Sequence, residues 1–315
     1  MRSTADRPDT PARNRRSRSA WKPNGLPPLL ALLVLLVLIT ESLALGSRTL
    51  SPEEVWQGLL AHDNSVASKV VWELRIHRTV LAVVVGASLA VAGVVMQALT
   101  RNPLAEPGIL GVNAGASLAV VAAIGGFGFT SVNQYLPFAF AGAAAAAVLV
   151  HVMSRRSSDS GPARLVLAGV ALGASLSSIT GTITMYNSKI FDSYRFWVVG
   201  SLENRKLEVL LWVTPFLVAG LLLALASAHS LNALALGDEQ ATALGVNIAV
   251  VRGGAFIALT LLCGAATAAV GPISFIGLVI PHVARLLVGA DQKRLLAWSI
   301  TAGAGLLLAA DVAGR

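Results

Sequence analysis

Arg75 and Arg78 stand three residues apart at the head of a long apolar run, a spacing that puts both guanidinium groups on one face of a helix. Fixed cations in that arrangement suit recognition of carboxylates on a partner. Far along the chain, a polar stretch opens at Gly237-Asp238-Glu239 and closes at Gly245 between two apolar blocks. Acids at its start and a glycine at its end predict a short amphipathic helix over Leu236–Leu244, because a helix N-terminus favours negative charge and a left-handed cap favours glycine. Such an element is a grip for another protein. Catalytic chemistry is sparse by contrast. No Gly-x4-Gly-Lys-[Ser/Thr] phosphate loop is present, so the chain does not bind ATP in that way. A proton relay would need several acids inside apolar runs, and Glu41 and Asp311 stand only near the ends of theirs. The single cysteine, Cys263, lies in an apolar block and reads as a buried, inert thiol. No catalytic residue, cofactor site or metal site is expected.

The elements that position these residues are membrane helices. Of 315 residues, 55% are hydrophobic and 13% charged, against about 25% charged in a soluble domain. Mean hydropathy is +0.71. Apolar runs fall at 26–45, 79–99, 108–126, 135–153, 163–186, 207–227, 248–270, 273–290 and 295–312. Roughly 20 residues cross a hydrocarbon core of about 30 Å, so the pattern predicts an all-α, polytopic integral membrane protein with nine spans. Residues 26–315 then form one transmembrane domain in contact with lipid. Alanine, glycine and serine dominate the spans, as in Gly115-Ala116-Ser117 and Gly303-Ala304-Gly305, and small residues let helices approach closely in lipid.

Residues 1–25 are basic, with Arg2, Arg7, Arg13, Arg15, Arg16, Arg18 and Lys22 against Asp6 and Asp9. We read them as a disordered cytoplasmic tail that orients the first span, in preference to a nucleic-acid arm. With the N-terminus inside, fifteen of the 24 lysines and arginines fall on the cytoplasmic side, which is the expected bias. Residues 236–245 then face the cytoplasm, and Arg75 and Arg78 face outward. Ser51-Pro52-Glu53-Glu54 in the longest outer loop predicts a capped surface helix. Arg101-Asn102-Pro103-Leu104-Ala105-Glu106-Pro107 is a rigid inner corner. Gly271-Pro272 joins two spans with almost no polar loop, and Pro281 kinks the second of them just before His282. Segments 161–178, 187–202 and 274–282 are candidates for lining or gating a pathway, with Ser175, Trp197, Ser274, Phe275, Pro281 and His282 as the residues singled out.

From about residue 70 onward these stretches together resemble the FecCD-like permease subunits of bacterial iron-siderophore, haem and cobalamin ABC importers. The most specific pieces are Arg-Asn-Pro-Leu-Ala-Glu-Pro at 101–107 and Gly-Pro-Ile-x-Phe-Ile-Gly-Leu-Val-Ile-Pro-His at 271–282. Leu74–Arg78, Gly86–Gln97, Trp197–Leu202, Leu231–Gly245 and Ala310–Arg315 support them in the same order. The resemblance implies the cobalamin/siderophore importer fold, with nine spans present of an expected ten; the family continues past Arg315 with one more helix. It implies a second permease subunit, identical or paralogous, a cytoplasmic ABC ATPase dimer and an extracytoplasmic substrate-binding protein, and no nucleic acid. It implies ATPase coupling through Leu236, Gly237, Asp238, Glu239, Ala243, Leu244 and Gly245. Binding-protein glutamates would dock on Arg75, Arg78 and Arg315. One departure is His77, where the family usually has proline.

The expected function is a gated, non-catalytic pathway in the bacterial inner membrane, driven by ATP hydrolysis in a separate subunit and carrying ferric siderophores. Cobalamin or haem are the alternative cargoes. From a different class, an ion-gradient-driven secondary transporter would also suit broken helices.

Overall fold

The computed structural model describes residues 26–315 apart from 47, 62, 64, 156–161 and 204. The tail at 1–25 and the beginning of the 161–178 segment lie outside the described residues. Every regular element among the described residues is a helix: α1 (Leu26–Ala44), α2 (Pro52–Ala61), α3 (Val66–Thr100), α4 (Val112–Phe127), α5 (Val132–Arg155), α6 (Pro162–Tyr186), α7 (Ser188–Val198), α8 (Leu207–Ala235), α9 (Asp238–Ala243), α10 (Ile248–Val270), α11 (Ile276–Val288) and α12 (Gln292–Ala313), with a 3-10 turn at Pro107–Leu110.

Each of the nine apolar runs falls on a helix, but their lengths differ from expectation. Helices α3, α5, α6, α8, α10 and α12 are long and apolar enough to cross a membrane. Leu29–Ala44 of α1, α4 and α11 are apolar but shorter, so among the described residues six helices meet the span length. Helix α4 is preceded by Gly111, whose φ of 74° ends the regular path of the chain. Helix α11 starts only at Ile276, because Phe275 before it is left-handed.

Helix α3 is the centre of the bundle. Every residue from Ser88 to Thr100 is buried, as expected of a helix that is apolar on all sides. It packs against α12, α11, α10 and α8. The approach is close enough at Gly86 against Gly303 of α12, and at Gly93 against Gly277 of α11, that a Cβ would run into the facing backbone. In lipid, that van der Waals proximity takes the place of a hydrophobic drive between helices.

The first turns of α3 include a π-helical stretch, Val70–Ile76. Helix α2 packs there, with Trp72 Nε1 donating to the Gly58 carbonyl at 3.1 Å. The expected cap of α2 is a reciprocal box. The Glu54 N–H donates to Ser51 Oγ at 3.2 Å and the Ser51 N–H to Glu54 Oε2 at 2.7 Å. The hydrogen bonds from Ser51 hold the Glu54 carboxyl below its ordinary range. At the other end of the bundle Asn232 of α8 ties to α12, donating to Asp291 at 3.0 Å and accepting from the Gln292 N–H at 2.8 Å.

Candidate functional site

Three places bring the singled-out residues together, and they lie along α3. The first is at its C-terminal end. Helix α8 runs on to Ala235, so only Asp238–Ala243 forms the separate short helix α9. Gly237 and Gly245 bound it with φ of 119° and 80°, a conformation that L side chains disfavour. Asp238 holds α9 in place. Its carboxylate receives Arg252 of α10 at 2.9 and 3.1 Å and also the guanidinium of Arg101. Arg101 in turn donates from Nε to the Leu234 carbonyl at 3.0 Å. Ala241 faces inward and is fully buried, whereas Leu236 and Leu244 are 58% and 64% exposed. Glu239 and Ala243 are exposed beside them. The result is a small, partly apolar knob fastened to the turn after α3 and to α10.

The second place is at the opposite end of α3 and α12. The Arg78 Nε donates to both Asp311 oxygens, at 2.8 and 3.0 Å, and its terminal nitrogen lies 2.8 Å from Oδ1. Arg315 reaches the same carboxylate at 2.6 Å, and donates to the Ser42 and Leu45 carbonyls at 2.6 and 3.0 Å. Arg75 is buried and donates to the carbonyls of Leu43 and Arg48. The three arginines expected to act together therefore do converge, around the C-terminal end of α1. They border a cavity of about 280 Å³ that Arg48 and Arg205 also line, together with Glu73 and Glu203. An excess of guanidinium groups around an open cavity is an anion-attracting surface.

The third place is the connection from α10 to α11. Phe275 has φ 72° and is 66% exposed. Its N–H donates to Glu106 Oε1 at 2.9 Å. Ser274 and His282 are exposed, while Pro281 is buried inside α11. The other pathway candidates are dispersed. Ser175 lies on an exposed face of α6 and donates back to Ala171 at 2.9 Å. Trp197 is 1% exposed; it packs inside the chain and does not line a pathway, the position expected from the sequence. The bend beside it brings Gly200 against Pro272, and the Ser201 N–H donates to the Val270 carbonyl at 2.8 Å.

Sequence reasoning missed the acids and arginines that complete these places: Asp311, Arg101, Arg252 and Glu106. A signal existed for one of them, since Asp311 and Arg315 are spaced i,i+4 on one helix. Arg101 and Glu106 stood inside a quoted motif without partners.

Residues 32–315 match the FecCD transport family. The ferric enterobactin transport system permease protein FepD of Escherichia coli (strain K12) is 45% identical over 287 residues, covering 90% of this chain and 86% of that protein. The Fe(3+)-citrate import system permease protein YfmD of Bacillus subtilis (strain 168) is 39% identical over 287 residues, covering 91% and 85%. Among solved structures, an inward-facing conformation of a metal-chelate type ABC transporter superposes with a TM-score of 0.80. Its identity is 30%, over 91% of this chain and 90% of that one.

Proposed function

The chain belongs to the FecCD transport family and is the permease subunit of an ABC importer; on that premise we propose that its cargo is a ferric siderophore and that α9 is its contact with the motor. Two ATPase subunits in the cytoplasm drive it, a binding protein outside delivers the chelate, and a second permease completes the pathway. The N-terminus and α9 face the cytoplasm, and the Arg75–Arg78–Arg315 end faces outward. The three shorter apolar helices lie in the bilayer with the six long ones. The open end of the arginine cavity receives carboxylates of the binding protein, and Ser274, Phe275 and His282 border the route of the cargo.

The observation that carries this reading is the construction of α9. It shows Leu236 and Leu244 to solvent, yet through Asp238 it is bonded to the turn after α3 and to α10. A push on that knob reaches two bundle helices directly. Closure of an ATPase pair supplies such a push as differential binding between two states.

The test is uptake of ferric enterobactin and of ferric citrate into liposomes holding the permease with its ATPase and binding protein. Uptake that requires ATP supports the reading. Uptake by the permease alone under an ion gradient would make it a secondary transporter. Sidedness has its own check: a cysteine placed at Gln240 should resist an impermeant thiol reagent applied to intact cells, and modification there would put α9 on the wrong side.

A further inference from the structure

The six residues from Arg101 to Glu106 connect two places that are otherwise separate. At one end Arg101 has φ 49° and caps α3, its N–H meeting the carbonyls of Ala98 and Gln97. Its side chain holds the end of α8 and Asp238 of α9. At the other end Glu106 accepts the N–H of Phe275. What lies between is stiff. Asn102 accepts the Leu104 N–H on its side chain at 2.9 Å and the Ala105 N–H on its carbonyl at 3.1 Å. Ala105 and Pro107, on either side of Glu106, are buried. Pro107 packs on Gly277 in the first turn of α11. Glu106 is thus fixed to the turn by its buried neighbours, and the turn is joined to α9 through the Arg101–Asp238 pair.

The receiving residue is also unusual. A left-handed φ is uncommon for an aromatic residue and persists only where neighbours impose it. Glycine or asparagine would cap α11 there without strain. Phe275 instead keeps a large ring exposed on a backbone whose N–H is held by a carboxylate.

We propose that Glu106 is a positioning residue of the transport cycle: its carboxylate ties the backbone of Phe275 to the turn whose Arg101 holds α9, so that movement of α9 is delivered to the α10–α11 connection. The proposal rests on the reading of α9 as the motor contact.

The experiment uses the assembled transporter in liposomes, with coupling to ferric enterobactin read in the subunit that keeps Ser274, and with Ser274→Cys, in a parallel preparation read for labelling alone, as a reporter labelled by a thiol reagent with and without a trapped nucleotide. The native Cys263 is buried and is replaced by alanine. With Glu106 in place, nucleotide changes the labelling rate at position 274. Glu106→Ala removes that change and lowers cargo moved per ATP by about tenfold, while ATP hydrolysis stays within about twofold. Glu106→Gln keeps an oxygen that accepts from the Phe275 N–H, and restores both the labelling change and at least about half of the coupling. Glu106→Ala with intact labelling and coupling would overturn the proposal, as would a Glu106→Ala subunit that fails to assemble while Glu106→Gln assembles but stays uncoupled. If the unaltered complex moves no cargo on ATP, the reading of α9 fails first and takes the proposal with it, an outcome seen before any Glu106 variant is made.

Discussion

The two ends of α3 carry ion-pair centres of the same composition and opposite character. Each is one aspartate shared by two arginines: Asp311 with Arg78 and Arg315, and Asp238 with Arg101 and Arg252. At the first, the Asp311 and Arg315 side chains are 5% and 6% exposed and that of Arg78 is 23% exposed. At the second, Asp238 is 43% exposed and its partners 33% and 29%. Burial decides what the same three groups do. Removing a partner from a buried cluster leaves an uncompensated charge and costs about 3–5 kcal/mol. An exposed pair is screened, and is worth about 0–1 kcal/mol. The Asp311 centre is thus a fastener of α1, α3 and α12, and the Asp238 centre is a hold that a docking partner can alter cheaply.

The harshest way to break this contrast is Asp311→Ala. It leaves Arg78 without its carboxylate and Arg315 against the carbonyls at the end of α1, and should destabilise the subunit by about 3–5 kcal/mol. Thermal unfolding in detergent reads this directly. A loss under about 1 kcal/mol would mean that the cluster is wet enough to behave as a surface pair.

Arg78→Lys sharpens the same point with the charge kept. Arg78 engages Asp311 through Nε and a terminal nitrogen at once, a fork that an ammonium does not reproduce. The expected cost is about 1.5–3 kcal/mol, the worth of hydrogen bonds to a charged group, measured by the same unfolding midpoint. The variant also tests the arginine cavity, because any loss of binding-protein affinity beyond the stability change belongs to docking.

Asp238→Asn moves to the exposed centre. Its stability cost should be about 1 kcal/mol or less and should shrink in molar salt, where the screening length falls to about 3 Å. The cost of Asp311→Ala should barely respond to salt. ATP-driven uptake should nevertheless fall well below that of the unaltered subunit, since α9 is released from Arg101 and Arg252. A variant with unchanged uptake would remove α9 from the coupling path.

How much of this was legible in the chain differs between the centres for a physical reason. The α9 helix could be read from local signals, Asp238 and Glu239 at its start and Gly245 at its end, because caps and dipoles act over neighbouring residues. Arg75 and Arg78 could be read from their own spacing, whereas Arg315 was identifiable only through a family resemblance. The group that binds two of them, Asp311, is 233 residues from Arg78 in sequence, a pairing that no local pattern encodes. The same holds for Glu106 and Phe275, 169 residues apart. Helix ends failed where polarity misled. Helix α3 begins at Val66 although Lys69, Glu73 and Arg75 make that stretch look like loop. Helix α8 continues through His229, Ser230 and Asn232. Helix α11 loses its expected first residues because Phe275 takes a left-handed φ that hydrophobicity does not report.

The mildest substitution is the most discriminating. Arg252 meets Asp238 through one terminal nitrogen that lies 2.9 and 3.1 Å from the two oxygens. A lysine ammonium is also a single nitrogen donor, and Arg101 remains on the same carboxylate. Arg252→Lys should therefore cost only a few tenths of a kcal/mol, within the range of exposed pairs, and leave uptake within about twofold. Arg78→Lys loses a fork that is used, whereas Arg252→Lys loses one that is idle in this subunit. Measured side by side, the two lysine variants separate burial and bidentate geometry from charge alone. If Arg252→Lys proved as damaging to uptake as Asp238→Asn while its unfolding midpoint stayed put, the idle nitrogens of Arg252 would have to be engaged by the docked partner. The exposed centre would then be part of the motor interface itself, beyond the hold behind it.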